Sequence, residues 1–118
     1  MRKFAVTVIA AAALTASGVA AQTPAPTAEA IKAGQKVYAD QKCATCHSIG
    51  GVGSKMAPLD GVGTKLSPAD IKSWMTDPDG MSAKLAVKPK IKMKKYTLKA
   101  GELDALVSYL VSLKTVKK

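Results

Sequence analysis

The chain holds few of the residues that most often carry out chemistry. Its 118 residues include one histidine and two cysteines. With a single histidine, no paired carboxylates and no phosphate-cradling loop, it lacks a Ser/His/Asp set and the usual equipment for turning over a substrate. Aromatic residues make up 4% of the chain, too few for a core organised around phenylalanines. Acidic residues are scarce as well, 8 against 18 Lys and Arg, giving a net charge of +10. An imbalance of that size implies acidic partners or surfaces. Internal repeats and strand alternation are both missing, which points away from a β architecture.

The scarce residues are concentrated in one place. Cys43-Ala44-Thr45-Cys46-His47 contains both cysteines and the histidine. This spacing is the attachment signature of a c-type haem. Each thiol can add across one vinyl group of the porphyrin, and the adjacent imidazole is then held beneath the iron. A structural zinc site needs four ligands, and the chain offers three. A thioredoxin-like motif follows a strand in a βαβ unit, whereas the text before Cys43 reads as helix. A disulfide across so short a loop contributes little and leaves His47 without a role. The reading is one covalent haem c, with its iron, on Cys43, Cys46 and His47.

The N-terminus fits export. Arg2 and Lys3 precede an uncharged, alanine-rich run from Phe4 to Ala21, and Val19-Ala20-Ala21 resembles a signal-peptidase site. About 18 apolar residues could just span a bilayer, but weak alanine hydrophobicity and the small-residue end favour cleavage. The run lacks a following cysteine, so a lipoprotein is excluded. Residues 1–21 are therefore expected to be a signal peptide, 22–26 a short flexible tether and 27–118 the folded domain. Losing Arg2 and Lys3 with the signal leaves 97 residues carrying 16 basic and 8 acidic side chains, a net charge of +8. The expected location is the periplasm, without stable membrane insertion after cleavage and without nucleic acid as a partner.

Thr27 can cap a helix that carries Ile31, Gly34, Gln35 and Tyr38 at helical spacing. An isolated helix glycine costs about 1 kcal/mol, so Gly34 implies close approach of a second helix. Five glycines and Pro58 make 49–63 a loop. Ser67-Pro68 starts a helix through Ile71 and Trp74 that stops near Asp77-Pro78. The stretch 80–96 is irregular and rich in lysine. Leu103, Leu106, Val107 and Leu110 define the stripe of a last helix, about Lys99 to Lys114.

An attached iron needs a sixth ligand or an open site. Ligation by two histidines of this chain is impossible, and Met56, Met75, Met81 and Met93 remain as thioethers, soft ligands that favour ferrous iron.

Gly34 and Tyr38, then Cys43 to His47, then Met93-Lys94-Lys95-Tyr96-Thr97-Leu98 and Leu106-Val107-Ser108-Tyr109-Leu110 resemble the class I, monohaem c-type cytochromes of the bacterial periplasm. The resemblance covers nearly the whole chain after the signal. A motif near the mature N-terminus separates it from the four-helix cytochrome c′ class. The sequence departs from the family in having Lys94 where many members have proline, and in a longer stretch from Pro78 to Met93.

The resemblance implies a small all-α cytochrome c-type fold of three to four helices around one haem. Its first and last helices would cross at Gly34, with Tyr38 meeting Leu106, Tyr109 and Leu110. It implies Met93 as distal ligand opposite His47, with Met81 as the rival. Met56 falls in a loop on the proximal side and Met75 at an apolar contact; both also fit ordinary packing. The Pro58 carbonyl would orient His47, Leu59 would pack on the porphyrin, and Trp74 would line the distal side.

Lys84, Lys88, Lys90, Lys92, Lys94, Lys95 and Lys99 would frame the haem edge and steer acidic redox partners. The function so implied is a single-electron carrier rather than an enzyme. The alternatives are a cytochrome subunit of a periplasmic dehydrogenase and an open-site haem sensor or peroxidase.

Overall fold

Helix α1, Ala28–Asp40, begins where Thr27 Oγ1 accepts the amide of Ala30 at 3.1 Å, with Glu29 in the positively charged first turn. The computed structural model describes residues 26–114. The expected signal, the tether up to residue 25 and residues 115–118 lie outside the described residues.

The other long helix, Ala100–Ser112, closes the fold against α1 and is α5 in chain order. Its first turn is secured by Glu102, whose carboxylate accepts the Lys99 amide at 3.4 Å. The two helices touch at Gly34, which is buried. A Cβ there would fall on the Ala105 carbonyl and on Cβ of Tyr109. One turn later Tyr38 meets Tyr109 edge to face, with ring centroids 5.8 Å apart at 80°. The crossing read from the sequence is present, and Ala105 joins Tyr109 as its contact. Leu106 and Leu110 sit beside it in the core with Val37.

Helix α3, Pro68–Thr76, adds Ile71 and Met75 to that core. Ser67 Oγ accepts the Asp70 amide at 3.1 Å and Pro68 takes the first helical position, as expected. Helix α2, Val62–Lys65, is pinned to the chain's last turn: the Gly63 amide donates to the Leu113 carbonyl at 2.9 Å and Lys114 Nζ to the Gly63 carbonyl at 2.7 Å.

Two stretches read as irregular contain structure. Three short strands, β1 His47–Ile49, β2 Val52–Gly53 and β3 Ala57–Pro58, form a sheet in the order β2-β1-β3. Gly50 (φ 59°) and Gly51 (φ 80°) make the two-residue turn between β1 and β2, the geometry that twisted hairpins favour and that glycine permits. Helix α4, Pro78–Ala83, follows α3 at once because Asp77 ends one helix and caps the next, its carboxylate accepting the Gly80 amide at 3.1 Å. Among the described residues the fold is thus all-α with a minimal sheet: α1, α3 and α5 are the long helices, and α2 and α4 are short ones.

Gly34→Ala tests the crossing. The substitution should lower unfolding free energy by about 1–3 kcal/mol through overpacking, despite alanine's better helix propensity. Guanidinium unfolding of the purified protein measures it, and a variant as stable as the parent would mean that the helices part freely.

Candidate functional site

The attachment motif starts three residues after α1. Gln41 ends the helix, and Lys42 turns left-handed at φ 56°, a conformation uncommon outside glycine and asparagine. Cys43–Thr45 then forms a single 3₁₀ turn, with the Cys46 amide donating to the Cys43 carbonyl at 3.1 Å. Both thiols are free, Cys43 half-buried and Cys46 exposed. Burial pushes the Cys43 thiol up, partly offset by a backbone hydrogen bond and by the ammonium of Lys94. The neighbouring backbone is held tightly: the Ser54 amide donates to the Ala44 carbonyl at 2.9 Å, and the Gly50 amide to Asp60 Oδ1 at 2.7 Å.

His47 opens β1, and the parallel register sets Ala57 opposite it. His47 Nδ1 lies 2.8 Å from the Ala57 carbonyl. A carbonyl oxygen only accepts, so Nδ1 carries the proton and Nε2 is left to bind a metal. The expected acceptor, the Pro58 carbonyl, is not the one used. Pro58 stands opposite Ser48, one step further along the strand, and the next amide, Leu59, donates to the Ser48 carbonyl at 2.8 Å. The register therefore assigns the orienting role to Ala57.

The methionines separate clearly. Met75 is 2% exposed and belongs to the core, whereas Met56 is 58% exposed on the surface. Met81 is half-buried, and Lys84 Nζ approaches its sulfur at 3.8 Å. Met93 is half-buried and packs on the core cluster. Its segment returns to the attachment turn. The Tyr96 amide donates to the Met75 carbonyl at 2.9 Å, and Lys94 Nζ lies 4.9 Å from the Tyr96 ring centre. Lys94 acts electrostatically on Cys43, and Tyr96 feels both thiols. Leu59 packs on the core cluster and Trp74 is half-buried on α3. Ala57, Asp60 and Tyr96 are the site neighbours that sequence reasoning missed.

Among the described residues no group of three or more His, Cys, Asp or Glu converges as a metal site. An iron bound at His47 would therefore draw its remaining donors from elsewhere. The donor set suits a haem: two unjoined thiols three apart, an imidazole with Nε2 available, and a thioether at the core's edge. The hydroxyl of Tyr38, buried and without a partner in the structure, is a further polar group close to the Cys43 thiol.

Lys84, Lys88, Lys90, Lys92, Lys94, Lys95 and Lys99 are all exposed, and Lys88 is set apart only by its contacts. Its ammonium donates to the carbonyls of Ser82, Ala83 and Leu85 at 3.1, 2.8 and 3.0 Å. Among the described residues no helix is long and apolar enough to cross a membrane.

Fold and donor set together suit a small helical protein with covalently bound haem. A family model described as cytochrome c matches residues 31–114. The chain belongs to the cytochrome c family, whose function is haem-based electron transfer with covalently bound haem c and its iron. No curated protein and no solved structure matches the chain.

Tyr38 gives the site a pH signature. Burial foremost, then the neighbouring Cys43, Tyr109 and Asp60, pushes its hydroxyl from 10.0 up to about 12. In this interval the unfolded chain loses the proton while the folded one keeps it, so stability is intact below pH 10 and declines as pH rises towards 12. Tyr38→Phe should make that decline shallower in denaturant titrations at pH 9 and 11; identical slopes would show that the hydroxyl is not desolvated.

Proposed function

We propose that the protein is a class I, monohaem electron carrier of the bacterial periplasm, with Cys43 and Cys46 as thioether anchors and His47 and Met93 as axial ligands. The hydrogen bond from His47 Nδ1 to the Ala57 carbonyl carries this reading. It fixes tautomer and ring orientation before any metal arrives. Bound haem c supplies a one-electron ferric/ferrous couple.

The chain's own residues do the rest. Cys43 and Cys46 would hold the group through thioether bonds, each sulfur adding to one vinyl carbon and its hydrogen to the other. Nε2 of His47 is a neutral nitrogen donor. The thioether of Met93 is a soft donor that favours the reduced metal. With His47 and Met93 both supplied by the chain, a bound metal would keep the same donors in both charge states, which suits electron transfer and not substrate turnover. Packing of Met93 on the core and the Tyr96–Met75 hydrogen bond support its presentation to the site.

Partners are acidic redox proteins that dock briefly beside the exposed lysines 84, 90, 92, 94, 95 and 99. Val87 at 82% and Ile91 at 58% exposure add apolar contact between those charges. Such a surface gives fast, salt-sensitive association. The free-carrier reading rests on this surface, and export on the N-terminal run from Phe4 to Ala21.

Visible spectra of protein matured with the cytochrome c machinery test the ligation. The ferric protein should show the charge-transfer band of methionine–iron ligation, and Met93→Ala should lose it and bind carbon monoxide when reduced. A high-spin parent that takes up carbon monoxide readily would overturn the assignment in favour of an open-site haem protein. The docking surface has its own test. Lys90→Glu with Lys92→Glu should slow association with an acidic redox partner severalfold at low salt, and the difference should vanish near 1 M salt, where the Debye length is about 3 Å. Equal rates at low salt would mean that docking occurs elsewhere.

A further inference from the structure

Lys88 belongs to the lysine-rich stretch by sequence and to α4 by contact. Its ammonium has three protons, and the structure gives each an acceptor: the carbonyls of Ser82, Ala83 and Leu85. These carbonyls lie at the end of α4 and in the turn after it, where the helix dipole is negative, and that of Ser82 also accepts the Leu85 amide at 3.1 Å. Bonds from a charged donor are the stronger kind. Residues 82–88 are thereby closed into a tight loop.

The next backbone anchor is the Tyr96 amide on the Met75 carbonyl, 2.9 Å away. Between these two fastenings no backbone hydrogen bond joins residues 89–95 to the rest of the described chain. Met93 lies in that span. It is followed by Lys94, which does not stiffen the backbone as a proline would. What holds the thioether in place is its own packing, the Lys94–Tyr96 contact and the two ends of the span. One of those ends is a side chain.

We propose that Lys88 is a positioning residue for Met93: it fixes the upstream end of the span that presents the thioether and so controls how often that sulfur leaves the metal. This rests on the Met93 ligation proposed above. Releasing Lys88 lengthens the free span from 89–95 to 86–95. By loop-closure entropy alone that changes the detached population roughly twofold. The three hydrogen bonds are the fastening itself, made whether or not the thioether is bound, so their loss acts through this span and the expected effect is roughly twofold.

The test uses haem-loaded protein carrying Lys88→Met, which keeps the stem and removes the donors. Lys32→Met and Lys65→Met, at exposed lysines outside the span and the docking surface, are charge-matched controls. Imidazole competes with Met93 for the ferric metal, so Lys88→Met should bind imidazole roughly twofold more tightly, with a weaker methionine–iron band. The controls should match the parent. Unchanged imidazole affinity in Lys88→Met, or an equal shift in all three variants, overturns the proposal; the latter would assign the effect to net charge. A parent without the methionine–iron band overturns the ligation reading instead. The Lys88 fastening is then judged by amide exchange at Lys84 and Leu85, which speeds up in Lys88→Met if the ammonium closes this turn and is unchanged if it does not.

Discussion

The close approach of α1 and α5 is the constraint on which the remaining structure depends. Gly34 lets the helix backbones meet where any larger residue would strike the Ala105 carbonyl. The buried hydrophobic core is small: Val37, Ile71, Met75, Leu103, Leu106 and Leu110. Such a core has little capacity to absorb a shift between its two main helices. Because the attachment turn begins three residues beyond the end of α1, the crossing also fixes where Cys43 stands. From α5 the constraint passes to α3, and the Met75 carbonyl on α3 receives the Tyr96 amide. The attachment turn and the Met93 segment are thus positioned by one helix pair.

The two sides of the site are held by different means. His47 is oriented by backbone alone: strand register, the Ala57 carbonyl, and glycine turns whose positive φ values admit few other residues. Gly53 (φ 105°) packs against the His47 carbonyl, where a side chain would not fit. The Met93 side rests on side-chain packing, one backbone hydrogen bond and a cation–ring contact. Backbone register cannot change by small degrees, whereas side-chain contacts can. The proximal side is therefore the stiff one and the Met93 side the yielding one.

The helices were legible because each announces itself chemically. Thr27 and Ser67-Pro68 are caps with a mechanism, and the apolar stripe from Leu103 to Leu110 has helical period. Gly34 carried long-range information, since a helix glycine implies a close neighbour. The small sheet was hidden by its own glycines: Gly50-Gly51 reads as a breaker until the apolar Ile49 and Val52 on either side are weighed as a hairpin. Helix α4 was hidden because Asp77-Pro78 was read as a stop, although the same pair also makes a start. Near the motif, residue types identified Cys43, Cys46 and His47, but not which carbonyl faces His47. That choice between Ala57 and Pro58 is a matter of register, which no single residue encodes. The lysines looked equivalent in sequence, and only the fold shows that Lys88 faces its own helix end.

The pairing of α1 with α5 also sets an order of events in time. These helices are the first and last of the described elements, so the contact that closes the fold joins distant parts of the chain and awaits synthesis of the second helix. A chain emerging N-terminus first presents Cys43, Cys46 and His47 well before Leu106 and Leu110 exist to cover Val37. The attachment pentapeptide thus passes through a window in which it has left the ribosome while α1 has no partner helix to fix its place. A maturation enzyme that needs extended thiols would find them in that interval, before α5 docks on α1 and sets the start of the attachment turn.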